Sequence, residues 1–597
     1  MRALPVLTAL LVAACAGGPA APPTVESRAS FEVYEPQGGQ FRRLTPTAIG
    51  RAVVSAADPR AAAAGARMLE LGGTAADAAI ATMVALTVVE PQSSGIGGGA
   101  FVLWHDPATG GVVTIDGRER APAAARPDRF LHPDGRPMSF REAVPGGRSV
   151  GVPGVVKLAA EMHRRWGRLP WATLFGPAIA MAEDGIVLSE RFVRFAAFRA
   201  ETLRALPAGR VFLAPDGQPW PAGHRLRQPE LARTLREIAV RGPEAFYRGR
   251  VAHEIVRAVA EAPVNPARIT LGDLKAYRVV ERPPLCAPYR GHRICTMGPP
   301  SAGGIALLQI LLQLERFDLS ARGPADPIAW HLLAESMRLA FADREVWGGD
   351  PDFAPIPVAG LLDPTYLAAR SALIRPDRAM AEVTAGVPPG AGQRAAPRRA
   401  EVPATSHLVA ADAEGRVACV TSTIEAPWGS GLMAAGFLLN NELTDFDFVP
   451  TRDGRPALNR VEGGKRPRSS MTPTLVFAPD GRLVAAFGAA GGATIIAQVA
   501  KAIVAFLDWG LPVEAALAAP QLVADARGLR YEAGTPLETM VATWKALGHR
   551  DVAPATLPLK ANAVARQGDR WRGAADPRSE GAAVAVAGAP GGEGEGE

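Results

Sequence analysis

The chain has 597 residues, 48% of them hydrophobic and 21% charged, with a formal net charge of +6. This balance fits a globular protein with a sizeable core and excludes a disordered or fibrous chain. The excess positive charge is carried mostly by Arg and forms no concentrated basic block, so nothing points to a nucleic-acid partner.

At the N-terminus, Arg2 precedes an apolar run, Ala3–Ala14. The run is too short to span a bilayer and has the layout of a signal peptide. Small residues just before Cys15 resemble the lipobox of bacterial lipoproteins, in which that Cys is lipidated; an ordinary cleaved signal with an incidental Cys is the other reading. Acyl chains contribute about 0.8 kcal/mol per buried CH₂, so several on one Cys would anchor the protein. The expectation is a signal over 1–14 and a lipidated Cys with a Pro/Ala/Gly-rich tether over 15–45. The protein would be exported and periplasmic, held to the membrane only by its N-terminal lipid.

Arg51–Ser55 reads as a strand. Asp58-Pro59 opens a helix to Leu71 that Gly72-Gly73 stops, with Pro at the start and Gly past the end. Thr74-Ala-Ala-Asp77 is a capping box for a helix to about Val89, apolar nearly all round and so buried. Gly95–Ala100 nominally satisfies a dinucleotide fingerprint, but a helix precedes it and a strand, Phe101–His105, follows, so no nucleotide cofactor is expected. That strand returns as a hairpin through Val112–Asp116 and delivers Arg118 at its end.

Ser149 to Leu314 reads as mostly helical, with helices at Val155–Trp166, Trp171–Ala182, Glu190–Leu206, Glu230–Arg241, Glu244–Ala262 and Gly304–Leu314, then Pro327–Arg344. Its His163, His253 and His331 are scattered and no paired Cys/His spacing appears, so no metal is expected. Cys286 and Cys295 flank a hairpin turning at Arg290-Gly291, which would set them opposite each other as a disulfide in an oxidising compartment. Cys419 reads as a small core residue.

Ala385–Ala404 is a ragged Pro/Gly/Ala/Arg loop, followed by a hairpin of Leu408–Ala411 and Val417–Thr423. Thr405 stands at the junction. If the chain is cut between Ala404 and Thr405, Thr405 owns both a hydroxyl and a free α-amine, a nucleophile with its base attached. Strands Leu475–Ala478 and Leu483–Phe487 lead into Gly488–Gly492, which opens a helix, Thr494–Leu507. The first N–H groups of that helix have no internal partner, so Gly491 and Gly492 could aim donors at an oxyanion. The Gly/Glu-rich tail, 587–597, reads as disordered.

These segments together resemble the γ-glutamyltransferases, self-processing members of the N-terminal-nucleophile hydrolases. The resemblance rests on Thr405-Ser-His407, Thr421-Ser-Thr423, Leu439–Glu442 with Asp445-Phe446, Pro467–Met471 and Gly491-Gly492. It rests equally on Glu90-Pro-Gln with Gly97–Gly99, Asp116–Glu119, Pro299–Gly304 and Asp576–Arg578. It runs from about Arg51 to Val586 and implies an α+β, four-layer αββα sandwich with two stacked antiparallel sheets flanked by helices. A large subunit, 46–404, and a small one, 405–586, would arise from one precursor and stay associated.

The implied roles follow residue by residue. Thr405 is the nucleophile for self-cleavage and for catalysis, and Thr423 hydrogen-bonds its hydroxyl. Gly491 and Gly492 form the oxyanion hole. Arg118, Ser469 and Ser470 hold the substrate α-carboxylate, and Glu442 with Asp445 hold its α-ammonium. No cofactor is implied. The substrate would be a small γ-glutamyl amide such as glutathione, and the acceptor water, an amino acid or a peptide. Two departures stand out. Glu425 occupies a place where better-known members carry Asn, and the Asp447–Gly464 loop is shorter than the family's lid and lacks Tyr. The competing readings are an acylase on β-lactam or other acylated amines, and a catalytically inactive, lipid-anchored binding protein of the same fold.

Overall fold

The computed structural model describes residues 47–392, 404–452 and 454–586. The expected signal, tether, Cys15 and tail lie outside the described residues, as do residues 393–403 of the expected Ala385–Ala404 loop.

Two seven-stranded sheets form the centre. The first runs Ala582–Val586, Ala52–Ala56, Ala404–Ala411, Val417–Glu425, Gly99–His105, Val112–Gly117 and Val280–Arg282, every neighbouring pair antiparallel. The second runs Thr47–Gly50, Arg570–Ala575, Lys560–Gln567, Leu483–Ala490, Thr474–Phe477, His292–Thr296 and Leu285–Tyr289, again antiparallel throughout. The strands alternate their faces as a period of two requires. Val409, Ala411, Val417 and Cys419 pack inward with Leu475, Phe477, Ala485 and Phe487, whereas Leu408, Ala410, Ala418 and Val420 join the helices outside. Both faces are covered, so the strands read as near-continuous apolar runs.

Helices Pro59–Glu70 and Ala75–Val89 cover the first sheet. The second is buried wholly, its capping box formed by Thr74 and Asp77 as the sequence suggests. Gly303–Leu314, Pro327–Trp347 and Thr494–Leu507 share the core of the second sheet. The result is the expected αββα sandwich.

Three expected helices are interrupted. Trp171–Ala182 is a 3₁₀ turn, Trp171–Phe175, followed by a helix at Gly176–Asp184. Pro177 enters its first turn, where the missing N–H is tolerated. Glu244–Ala262 divides into Glu244–Tyr247 and Arg250–Ala260 around Gly249, a poor helix former in an extended conformation. Glu190–Leu206 breaks at Arg199. The Leu483 strand, expected to end at Phe487, continues to Ala490. Cys286 and Cys295 face each other across the hairpin and form a disulfide.

Candidate active site

Thr405 sits near the start of a central strand and is buried. Ala404–Ala411 pairs with Val417–Glu425 on one side and with Ala52–Ala56 on the other, and Thr405 lies opposite Thr423. The register shifts between Ala404 and Thr405, which re-aims the backbone at that peptide. Thr423 Oγ1 donates to the Ala404 carbonyl oxygen at 2.8 Å and accepts the Glu425 N–H at 2.8 Å. A hydroxyl has one proton to give. The 3.2 Å contact between the two Thr hydroxyls therefore has Thr405 as donor and Thr423 as acceptor. The Ala404 carbonyl is polarised while lone pairs of the Thr405 oxygen stay available.

Two residues along, His407 Nδ1 lies 2.8 Å from Thr421 Oγ1, with Cys419 Sγ 3.7 Å from the other ring nitrogen. Burial pushes this imidazole down to about 3, so it is neutral. Gly488 of the second sheet lies against the ring, where an added Cβ would fall 2.1 Å from Cε1. Absence of a side chain lets the sheets meet here. Beyond Gly488 the strand runs through Ala490 to Gly491 and Gly492, whose φ angles of 126° and 59° belong to glycine. Lys560, opposite Ala490, reaches Glu90, and Glu90 accepts from Ser406. That chain of contacts sets the glycine turn at the Thr405 end of the sandwich.

Arg118 leaves the Val112–Gly117 strand fully buried. Its guanidinium pairs with Glu442 and, at 2.6 Å, with Asp445, and donates to the Pro467 and Arg468 carbonyls at 3.2 and 2.7 Å. Glu442 and Asp445 come from the 3₁₀ turn Glu442–Asp445, and Pro467 and Arg468 meet the arginine through their carbonyls. Ser470 accepts from Arg344, and Ser469 Oγ accepts the Met471 N–H at 3.1 Å. Glu425 accepts from the Asn441 amide with φ of 77°, a left-handed conformation rare for Glu. The segment 447–464 carries a short hairpin, Thr451–Arg452 with Arg455–Pro456, and Lys465 Nζ donates to the Leu458 carbonyl at 2.7 Å.

Several participants escape a sequence reading. Glu119 lies wholly buried beside Glu442, and burial pushes it up to about 7 against the opposing charge of Arg118. Burial likewise raises Glu442, with Glu119, Asp445 and Glu425 adding to the effect. Carboxylates thus outnumber guanidinium groups around Arg118, and the cluster suits a ligand bearing positive charge beside a carboxylate. Arg344 is also new, and Asn441, part of the Leu439–Glu442 motif, is given no role by the sequence. The histidines are less scattered than expected: His331 lies 2.7 Å from His549, near Glu335. Both Glu335 oxygens are engaged, by Arg338 and by the Met380 N–H.

A model of the gamma-glutamyltranspeptidase family matches residues 61–586. The glutathione hydrolase proenzyme of Bacillus subtilis (strain 168) is 37% identical over 546 residues, 89% of this chain and 91% of that protein. The acylase ACY 1 proenzyme of Pseudomonas sp. (strain V22) is 36% identical over 552 residues, 91% of this chain and 95% of its own. The crystal structure of cephalosporin acylase from Bacillus halodurans matches with a TM-score of 0.79 at 26% identity, covering 93% of this chain and 98% of that one.

Proposed function

The chain belongs to the gamma-glutamyltranspeptidase family and is a γ-glutamyl hydrolase/transferase; from that premise we propose that Thr405 is its nucleophile, freed by self-cleavage after Ala404. The hydrogen-bonded triangle of Thr405, Thr423 and the Ala404 carbonyl carries this reading. In maturation the Thr405 hydroxyl oxygen adds to the Ala404 carbonyl carbon while Thr423 donates to the growing oxyanion. The peptide nitrogen leaves with a proton, and the resulting ester is hydrolysed by water. The products are a large subunit ending at Ala404 and a small one beginning with a Thr405 amine.

In turnover that amine, with an unperturbed pKa of about 7.7–8.0, takes the hydroxyl proton as Thr405 attacks the γ-carbonyl. The N–H groups of Gly491 and Gly492 stabilise the tetrahedral oxyanion, a contribution of about 3–4 kcal/mol per donor. The donor's amine departs, and water or an amino acid resolves the γ-glutamyl ester. The donor's glutamyl head is a zwitterion, and it enters the existing ion pair without changing its charge balance. Its α-carboxylate takes Arg118, with Ser469 and Ser470, in bidentate geometry, and its α-ammonium takes Glu442 and Asp445. Glutathione is the candidate donor, in keeping with the glutathione hydrolases among the relatives.

Export and a lipid on Cys15 belong to the same proposal. The Cys286–Cys295 disulfide supports an oxidising compartment. Among the described residues no helix is long and apolar enough to cross a membrane. Thr405→Ala tests the central reading: the variant is expected to remain one uncut polypeptide with no γ-glutamyl anilide hydrolysis. Normal processing in it would refute the assignment. An intact mass under denaturing conditions reads both maturation and the lipid.

A further inference from the structure

We infer that the Glu90–Lys560 ion pair is a positioning device that holds the nucleophile strand and the oxyanion loop in mutual alignment; this rests on Thr405 and the Gly491-Gly492 turn acting as proposed above. The two halves of the machinery belong to different sheets. Thr405 and Ser406 are on the first, and the glycine turn follows a strand of the second. Hydrogen bonds within a sheet cannot fix the separation of two sheets, so something must span the gap.

Lys560 does so. Its backbone lies opposite Ala490, the residue before Gly491, and its N–H donates to Gln498 Oε1 at 3.1 Å. The Gln498 amide in turn donates to the Ala490 carbonyl at 2.7 Å and to Thr494 Oγ1 at 3.1 Å. Thr494 Oγ1 donates to the Gly491 carbonyl at 2.8 Å, which closes the brace around the turn. The Lys560 side chain runs the other way. Its ammonium lies 2.9 and 3.1 Å from the two Glu90 oxygens and 3.3 Å from Ser93 Oγ. Glu90 caps the Ala75–Val89 helix and accepts the Ser406 hydroxyl at 2.6 Å, while Ser94 donates to Ser406 at 3.0 Å.

Both charged side chains are nearly inaccessible, at 3% and 4% exposure. A buried pair is tolerable only when further hydrogen bonds satisfy it. Here Ser93 and Ser406 supply them, and one of these is the residue next to the nucleophile. The brace also spans the two expected subunits, Glu90 in the large and Lys560 in the small, so cleavage leaves it intact. Its action is indirect: Glu90 sets Ser406, and Lys560 sets Gln498 and the turn. A displacement of about 1 Å between attacking oxygen and oxyanion donors costs on the order of a hundredfold in rate.

The test uses the full chain carrying Glu90→Gln, Lys560→Met, both together, or Ser406→Ala. Each variant is measured for fraction processed, Tm, and kcat and KM on γ-glutamyl anilide. Ser406→Ala severs one arm and leaves the ion pair, and the double variant removes both charges together, so each tolerates folding better than the single charge deletions. Both are expected to lose at least tenfold in kcat while KM for the donor stays within twofold. Lys560→Arg, which keeps the charge, is expected to recover part of the loss. A purely structural role would lower Tm and active fraction without that split. Wild-type kcat in the double variant or in Ser406→Ala overturns the inference. Activity in Thr405→Ala would instead overturn the nucleophile assignment beneath it.

Discussion

Thr423 donates its only hydroxyl proton to the carbonyl oxygen of Ala404, across 2.8 Å, and not to its neighbour Thr405. Under the proposed self-cleavage, the direction of that bond would make Thr423 an electrophilic aid to breaking the Ala404–Thr405 peptide as well as an orienting partner for Thr405. Thr423→Val keeps the shape and removes the proton. Self-cleavage should slow by about 10²–10³-fold, the cost of one oxyanion donor, whereas Thr423→Ser should process nearly normally. A time course of fragment appearance on a denaturing gel decides it; equal rates for the Val variant and wild type would sink the role.

Gly491 tests the proposed oxyanion turn. Its φ is 126°, and an added Cβ would fall 2.5 Å from Thr494 Oγ1 and 2.7 Å from the Pro558 carbonyl. Gly491→Ala must therefore move the turn. We expect kcat to drop by about 10²–10³-fold with a modest change in KM, measured on the processed fraction. Retention of wild-type kcat would mean that the donors are elsewhere.

Glu425 should set the preference between donors. It lies close enough to raise the proton affinity of Glu442, so the site disfavours an acyl group with no ammonium of its own. Asn accepts the left-handed backbone at this position more readily than Glu does. Glu425→Asn is therefore expected to fold well and to raise glutaryl over γ-glutamyl anilide hydrolysis by about tenfold, or ~1.4 kcal/mol. An unchanged ratio of kcat/KM values would remove Glu425 from specificity.

Glu119 should make stability fall with rising pH. Burial raises its carboxyl from 4.5 to about 7. Between those values the folded chain holds a proton that the unfolded chain has released, so stability is full below about 4.5 and declines through about 7. Glu442 is shifted the same way and adds to the slope. In Glu119→Gln the decline should shrink. Thermal unfolding from pH 4.5 to 8 measures both, and identical slopes for variant and wild type would contradict it.

Much of the scaffold was legible because its signals are local. The Thr74–Asp77 capping box, the helices Val155–Trp166 and Thr494–Leu507, and the Cys286–Cys295 hairpin need only neighbours within a few positions. The strands Lys560–Gln567, Arg570–Ala575 and Ala582–Val586 were not read, since short Ala-rich segments carry little β propensity. They are strands because both sheets need them as neighbours.

By itself the sequence determined the order of most elements as far as the Thr494–Leu507 helix, the residue types able to carry acyl transfer, and the glycine turn that could face them. Those are properties of short stretches, fixed by capping, periodicity and backbone freedom. Only the tertiary structure decided which charges meet. Glu90 finds Ser406 at a separation of 316 positions and Lys560 at 470, and Arg118 finds Glu442 at 324. Such partners are chosen by sheet register and by the distance between layers, and a side chain's proton affinity depends on that enclosure. No run of adjacent residues encodes it.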